Sequence, residues 1–231
     1  MSWRHWAIAF IVLIAGAGCD SEIETDEGST ASPNEHENAL PSMVNDNHDD
    51  HWQQTWDERL IALEHEFGPS DDKIITAMPP LYLGGGADVL TFKEHTDGIA
   101  YVTAGLIGDG GQEKTELGEY ELVMCVRDEN EWAPSLLSRL APYTFDTAVN
   151  PGDTMDIATA MPKNSTIAAL LFVSYRKFKV SETDASALLA MGITEAELTY
   201  CREHGCEDVL SKLKNTGIFP FTEPRRKSVI Q

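Results

Sequence analysis

The chain has 231 residues, with 38 acidic against 17 basic side chains, a formal net charge of −21 and 42% hydrophobic residues. That is enough apolar material for one domain with a sizeable core. A surface of this sign excludes nucleic acid as a ligand, because phosphate backbones are bound by clustered Lys and Arg through counterion release. The one basic cluster, Arg225-Arg226-Lys227, is too small to reverse that balance.

Residues 1–18 have the three-part form of an export signal. A charged start at Arg4 is followed by the apolar run Ala7 to Ala15 and the small-residue exit Gly16-Ala17-Gly18. The run is shorter than the roughly 20 residues that span hydrocarbon, so it is not expected to stay as a membrane span. Cys19, directly after the small residues, resembles the lipid-modified cysteine of a bacterial lipoprotein signal. That resemblance implies acylation of the Cys19 thiol and an exported protein anchored in the membrane of the cell envelope; ordinary cleavage and secretion is the alternative. From Asp20 to Asp50 there are ten acidic residues and no Lys or Arg. Such a composition cannot bury enough apolar surface to offset its ordering entropy, so residues 19–50 are read as an acidic disordered tether. His48-Asp49-Asp50-His51 at its end belongs to that solvated spacer, since nothing in a flexible acidic stretch fixes a metal geometry.

Residues 51–231 form the domain, with 28 acidic against 16 basic side chains outside the signal and tether. Trp52, Trp56, Leu60, Leu63 and Phe67 recur at three-and-four spacing and predict a helix that Gly68-Pro69 stops. Ile74 to Met78, before Pro79-Pro80, reads as a short strand, and Gly84-Gly85-Gly86 as a turn, lacking the Lys-Ser/Thr ending of a phosphate loop. Val89–Glu94, Ile99–Ile107 and Glu119–Val126 are rich in β-branched and aromatic residues, and three strands in succession imply an antiparallel sheet. Ala133–Phe145 predicts a helix with Pro134 in its first turn, Leu136, Leu137 and Leu140 facing inward, and Pro142 kinking or ending it. Asn150 to Asp153 is a turn; Ile167–Tyr175, apolar on both faces through Val173, reads as a central strand. Thr194 and Glu197 form a capping box for a helix running to His204 and stopping at Gly205, and a second helix covers Glu207–Lys214. The fold class is α+β, a mostly antiparallel sheet flanked by helices.

Several segments, in this order, resemble the suppressor-of-fused domain. They are Gly85 to Leu90, Tyr120 to Arg127, Trp132-Ala133-Pro134, Leu140 to Phe145, Gly152-Asp153, Ile193 to Leu198, Glu203-His204-Gly205 and Thr222 to Val229. The resemblance covers roughly residues 70 to 231 and implies a non-enzymatic module that binds a protein or peptide, with no cofactor. Animal members sequester a transcription factor by strand addition, and bacterial relatives resemble immunity proteins. The family's peptide-gripping residues lie in and after the segment that here reads Leu106 to Leu117. This loop departs from the animal motif, so no partner-binding residue is assigned and the partner's identity stays unknown.

The rival reading is an envelope hydrolase or a metal-dependent enzyme. Its candidate residues are few: His65, His95, His204, and His51 at the domain edge, with no Gly-x-Ser-x-Gly elbow. His95 is expected exposed beside a turn, and His204 suits a helix C-terminus. No catalytic residue is assigned. Cys125 is expected buried in its strand. Cys201 and Cys206 are read as free thiols, as a disulfide formed across the Gly205 turn, or with His204 as three weak candidate metal ligands lacking a fourth.

Overall fold

The computed structural model describes residues 46–230 apart from residues 72, 109, 110 and 114, with the backbone alone for residues 46–52. The export signal, Cys19 and the tether up to residue 45 lie outside the described residues. Helix α1 (Asp46–Phe67) starts six residues ahead of the predicted Trp52. Leu63 and Phe67 are buried, Trp56 and Leu60 pack beside them, and Gly68 at φ 92° ends the helix in a conformation only glycine adopts freely.

The predicted strand at 74–78 is reduced to one bridge between Ile75 and Val89. Pro79 and Pro80 have no N–H to continue a ladder, and the chain turns instead through a 3-10 turn at Leu81–Leu83. Gly85 is obligatory in this bend, since a Cβ there would lie 1.7 Å from the Pro79 carbonyl oxygen.

Strands β1 (Asp88–Phe92), β2 (Ile99–Ala104) and β3 (Glu119–Val126) pair antiparallel in succession, as expected. Helices α2 (Trp132–Leu140) and α3 (Tyr143–Asp146) follow, separated at the predicted Pro142, with Leu136, Leu137 and Leu140 buried. Two strands had no signal in the sequence reading: β4 (Thr154–Asp156) and β6 (Thr183–Thr194). The sheet order is β1-β2-β3-β6-β5-β4, with β3 and β6 parallel and the other neighbours antiparallel. Strand β5 (Ile167–Val180) is therefore not central, contrary to expectation; its outer neighbour is the three-residue β4. Its apolar first half is explained by helices and loops covering both faces of the sheet there, and the polar second half extends beyond that cover.

Helices α4 (Glu195–His204) and α5 (Glu207–Asn215) close the chain, α4 opening on the predicted Thr194–Glu197 capping box. One core lies between the sheet and α2, centred on Tyr120, Leu122, Met124, Leu137 and Leu188. The other lies between the opposite face and α1, α4 and α5, centred on Leu63, Val123, Leu189, Leu198 and Val209. No helix among the described residues is long and apolar enough to cross a membrane.

Candidate functional site

Alternation along β3 places Tyr120, Leu122 and Met124 on one face and Val123 and Cys125 on the other. Glu121 shares the second face and is fully buried beneath α1. A buried carboxylate survives only if its oxygens are satisfied. Here Oε1 accepts from the backbone N–H groups of Gly105 (3.1 Å), Leu106 (3.0 Å) and Ile107 (3.1 Å), and Oε2 accepts from the Thr103 hydroxyl (2.6 Å). Arg59 of α1 completes the cage, its Nε 3.8 Å from Oε1 and its Nη2 donating to the Ile107 carbonyl. Burial pushes the Glu121 pKa up, while Arg59 and then Thr103 and the loop amides pull against that rise. The arrangement locks α1 to the loop after β2.

Immediately before Arg59, Glu58 accepts a hydrogen bond from Ser181 at the tip of the β5–β6 hairpin. Ala62 and Phe178 both pack against the small cluster of Ile107, Val180 and Ala185. Between α1, the hairpin and the Glu116-Leu117-Gly118 turn runs an open groove of about 1080 Å³. Ile61 stands on its α1 wall with 67% of its surface exposed, and Lys177 and Lys179 stand on its β5 wall. The α1 wall is held where the adjacent Glu58 and Arg59 meet the hairpin tip and the loop after β2, so this part of the groove is preformed. The sequence reading did not find it; the one legible signal was an acidic residue, Glu121, in a core register of β3.

The C-terminal segment is tied down by a second buried pair. Arg226 donates to Glu197 (Nη1 to Oε1, 2.6 Å) and to the Gly192 carbonyl (3.0 Å). Glu197 also accepts from the backbone N–H of Thr194 and of Val229. Burial raises the Glu197 pKa, but the Arg226 hydrogen bonds, with those from Thr194 and Val229, reverse this and hold it below its ordinary value. The basic cluster at 225–227 thus spends its middle residue inside the protein.

His95 is not exposed. It keeps 5% of its surface, lies 4.9 Å from the Phe67 ring and bonds Tyr175 through Nε2 at 2.7 Å. The end of α1 and β5 converge on the turn after β1 and enclose it. Burial, and then the Arg176 charge, lower its pKa. Cys125 is buried as expected and shares Tyr175 as a hydrogen-bond partner; burial pushes its thiol up to about 12. The His95-Tyr175-Cys125 chain is thus a buried polar cluster whose thiol is protonated at neutral pH. Cys201 and Cys206 are unbridged and adjacent, and the hydrogen bond between them lowers the Cys206 pKa and raises that of Cys201. His204 turns away from them, its ring stacked 4.4 Å from that of Tyr200 and its Nδ1 3.3 Å from the Tyr200 carbonyl. Among the described residues no three His, Cys, Asp or Glu side chains converge as metal ligands. His65 is exposed beside Glu66.

A family model for the suppressor of fused protein (SUFU) matches residues 86–227. The fold is similar to that of a SUFU homologue from Neisseria gonorrhoeae, with a TM-score of 0.57 at 17% identity, over 79% of this chain and 98% of that one. It is also similar to Sufu in the crystal structure of the Sufu–Fu complex, with a TM-score of 0.55 at 15% identity, over 80% of this chain and 91% of that one. For Drosophila Suppressor of Fused the TM-score is 0.55 at 16% identity, over 78% of this chain and 50% of that one. No curated protein sequence matches.

Proposed function

Because this chain belongs to the suppressor of fused protein family, we propose that it is a membrane-tethered, non-enzymatic module that binds a protein or peptide in an immunity-type or sequestering role. A relative, Sufu, forms a complex with another protein, Fu. What supports the role in this chain is the groove between α1 and the β5–β6 hairpin, preformed on its α1 side. It is open along its length, presents the exposed Ile61, and has its α1 wall held by buried or interlocked polar contacts. A binding surface whose shape is set before the partner arrives loses less conformational entropy on association.

The tether follows from Cys19 and the acidic stretch after it. With two or three acyl chains at about 0.8 kcal/mol per buried methylene, the anchor is effectively permanent. An exported protein does not meet a transcription factor, so the partner is a component of the envelope or a protein arriving there. Pull-down from detergent-solubilised envelope with the full chain, read by mass spectrometry, tests both parts. One protein recovered at fixed stoichiometry, and lost with Ile61→Glu, is expected. Retention of the chain in the membrane fraction, and its release by Cys19→Ser, is expected for the anchor. Recovery of nothing above a bare-resin control overturns the binding role, and membrane retention of Cys19→Ser overturns the lipid anchor.

A further inference from the structure

The turn between α4 and α5 holds two thiols side by side. Residues 201–206 read Cys-Arg-Glu-His-Gly-Cys. On an unbroken helix, cysteines at these two positions stand too far apart to bridge. Here Gly205, at φ 89° and ψ 160°, ends α4 and turns the chain, and Cys206 becomes the N-cap of α5. The Gly205 N–H still donates to the Cys201 carbonyl at 2.9 Å, so the break falls between the two cysteines. Both side chains pack on the core beneath the two helices, and they are hydrogen-bonded to each other while remaining unbridged.

The two thiols differ in access and in acidity. Cys201 is buried, whereas Cys206 is partly exposed, its sulfur 3.8 Å from the Gly152 carbonyl oxygen and its sequence neighbours Glu203, His204, Glu207 and Asp208 exposed. The Cys201 hydrogen bond holds the Cys206 pKa below its ordinary value, against burial and the Asp153 charge. The same bond keeps the proton on Cys201, with burial and the nearby Glu197 adding to the effect. Once Cys206 is covalently occupied, that acceptor is gone, and with it the main hold on the Cys201 proton. A partly exposed thiol beside a buried partner is the arrangement of an attacking and a resolving cysteine.

We infer that Cys206 and Cys201 form a thiol–disulfide exchange site that takes a low-molecular-weight disulfide as oxidant and closes to an intramolecular Cys201–Cys206 bond; this stands apart from the protein-binding role. The Cys206 thiolate attacks one sulfur of the incoming disulfide. That S–S bond breaks, a mixed disulfide with Cys206 forms, and the first thiolate leaves and takes up the proton Cys206 had released. Cys201 then gives up its proton and attacks the Cys206 sulfur. The Cys201–Cys206 bond forms, and the second thiolate leaves and is protonated. Two protein thiols are oxidised and one disulfide is reduced to two small thiols. A pair that serves only as a packing contact makes the opposite forecast, that neither thiol exchanges in the folded chain.

The test uses the reduced full chain in detergent with cystamine, a disulfide whose positive charge suits the acidic neighbours of Cys206. Trypsin cuts after Arg202, so mass spectrometry reads a bridge as the Cys201 and Cys206 peptides joined. That joined pair is expected in wild type, with two cysteamines released for each bridge, and a stable cysteamine adduct on Cys206 is expected in Cys201→Ala. In Cys206→Ser, Cys201 is expected to react at least about tenfold more slowly than Cys206 does in Cys201→Ala. Should Cys201→Ala fail to fold, substoichiometric cystamine on wild type with an acid quench captures the first adduct, expected on Cys206. An adduct that persists on wild-type Cys206 without closing, first attachment at Cys201, joining of Cys206 to Cys19 or to a second copy, or no reaction at either thiol overturns the inference.

Discussion

Replacing Glu121 by Ala removes the acceptor of three backbone amides and one hydroxyl and leaves Arg59 buried opposite an empty space. Three amides left without an acceptor, at about 1 kcal/mol each for the low end of an unsatisfied buried donor, give about 3 kcal/mol. Breaking a buried ion pair by deleting one partner gives about 3–5 kcal/mol by itself. These are two views of the same loss, so the expected destabilisation is about 3–5 kcal/mol, a large part of the stability of an ordinary domain. With a urea dependence of about 2 kcal/mol per molar, the unfolding midpoint should fall by about 2 M. Tryptophan fluorescence in urea reads it directly. The double variant Arg59→Met/Glu121→Leu should recover only part of the loss, because it removes the stranded Arg59 charge but still leaves the Gly105, Leu106 and Ile107 N–H groups without their acceptor. A midpoint for Glu121→Ala within about 0.3 M of wild type would falsify the claim that this cage holds α1 against the loop.

Arg226→Ala should cost about 3–5 kcal/mol, and Arg226→Lys should not restore it, since one ammonium cannot reach both Glu197 oxygens and the Gly192 carbonyl; thermal unfolding checks both. Acidification should destabilise the protein in two steps. His95 has a folded pKa below its ordinary 6.5, so the unfolded chain takes up the proton first and stability declines as the pH drops below about 6.5. Glu197 has a folded pKa below its ordinary 4.5, so its contribution is full above that pH and is lost below it. Denaturation midpoints between pH 8 and pH 3 should show both steps, with His95→Gln removing the upper one and Glu197→Gln the lower; a flat profile refutes the assignment. In the native protein iodoacetamide should label Cys206 first, because its pKa is lowered by the Cys201 hydrogen bond and it is partly exposed. Cys125 should react only after unfolding, its thiol being fully buried and raised to about 12. Peptide mapping by mass spectrometry reports the order.

Much of the fold was legible because local signals agreed with tertiary packing. The Thr194–Glu197 box, the Gly68 stop, the Pro134 start and the three hairpin-linked strands each rest on short-range chemistry that burial reinforces. β6 was not legible. Its Thr183-Asp-Ala-Ser-Ala-Leu-Leu-Ala-Met-Gly-Ile run is rich in Ala, Ser and Gly, which have low strand propensity and are admitted here because β3 and β5 flank the strand on both sides. β5 was read as central because its first half is apolar on both faces, a property that reports cover above and below rather than position within the sheet. His95 was misplaced for a related reason. A turn beside a strand is usually solvated, and only the tertiary convergence of Phe67 and Tyr175 encloses this one. The groove depends on α1 meeting residues more than a hundred positions away, Glu58 with Ser181, and no local pattern encodes that contact.

Amide hydrogen exchange on the full chain, with and without the partner recovered from the envelope, tests the binding surface most directly. The account expects new protection in α1 around residues 58–66 and in the hairpin over residues 173–186, with little change elsewhere. Protection confined to the exposed apolar prong of Met78, Tyr82 and Leu83, or no protection at all, contradicts it.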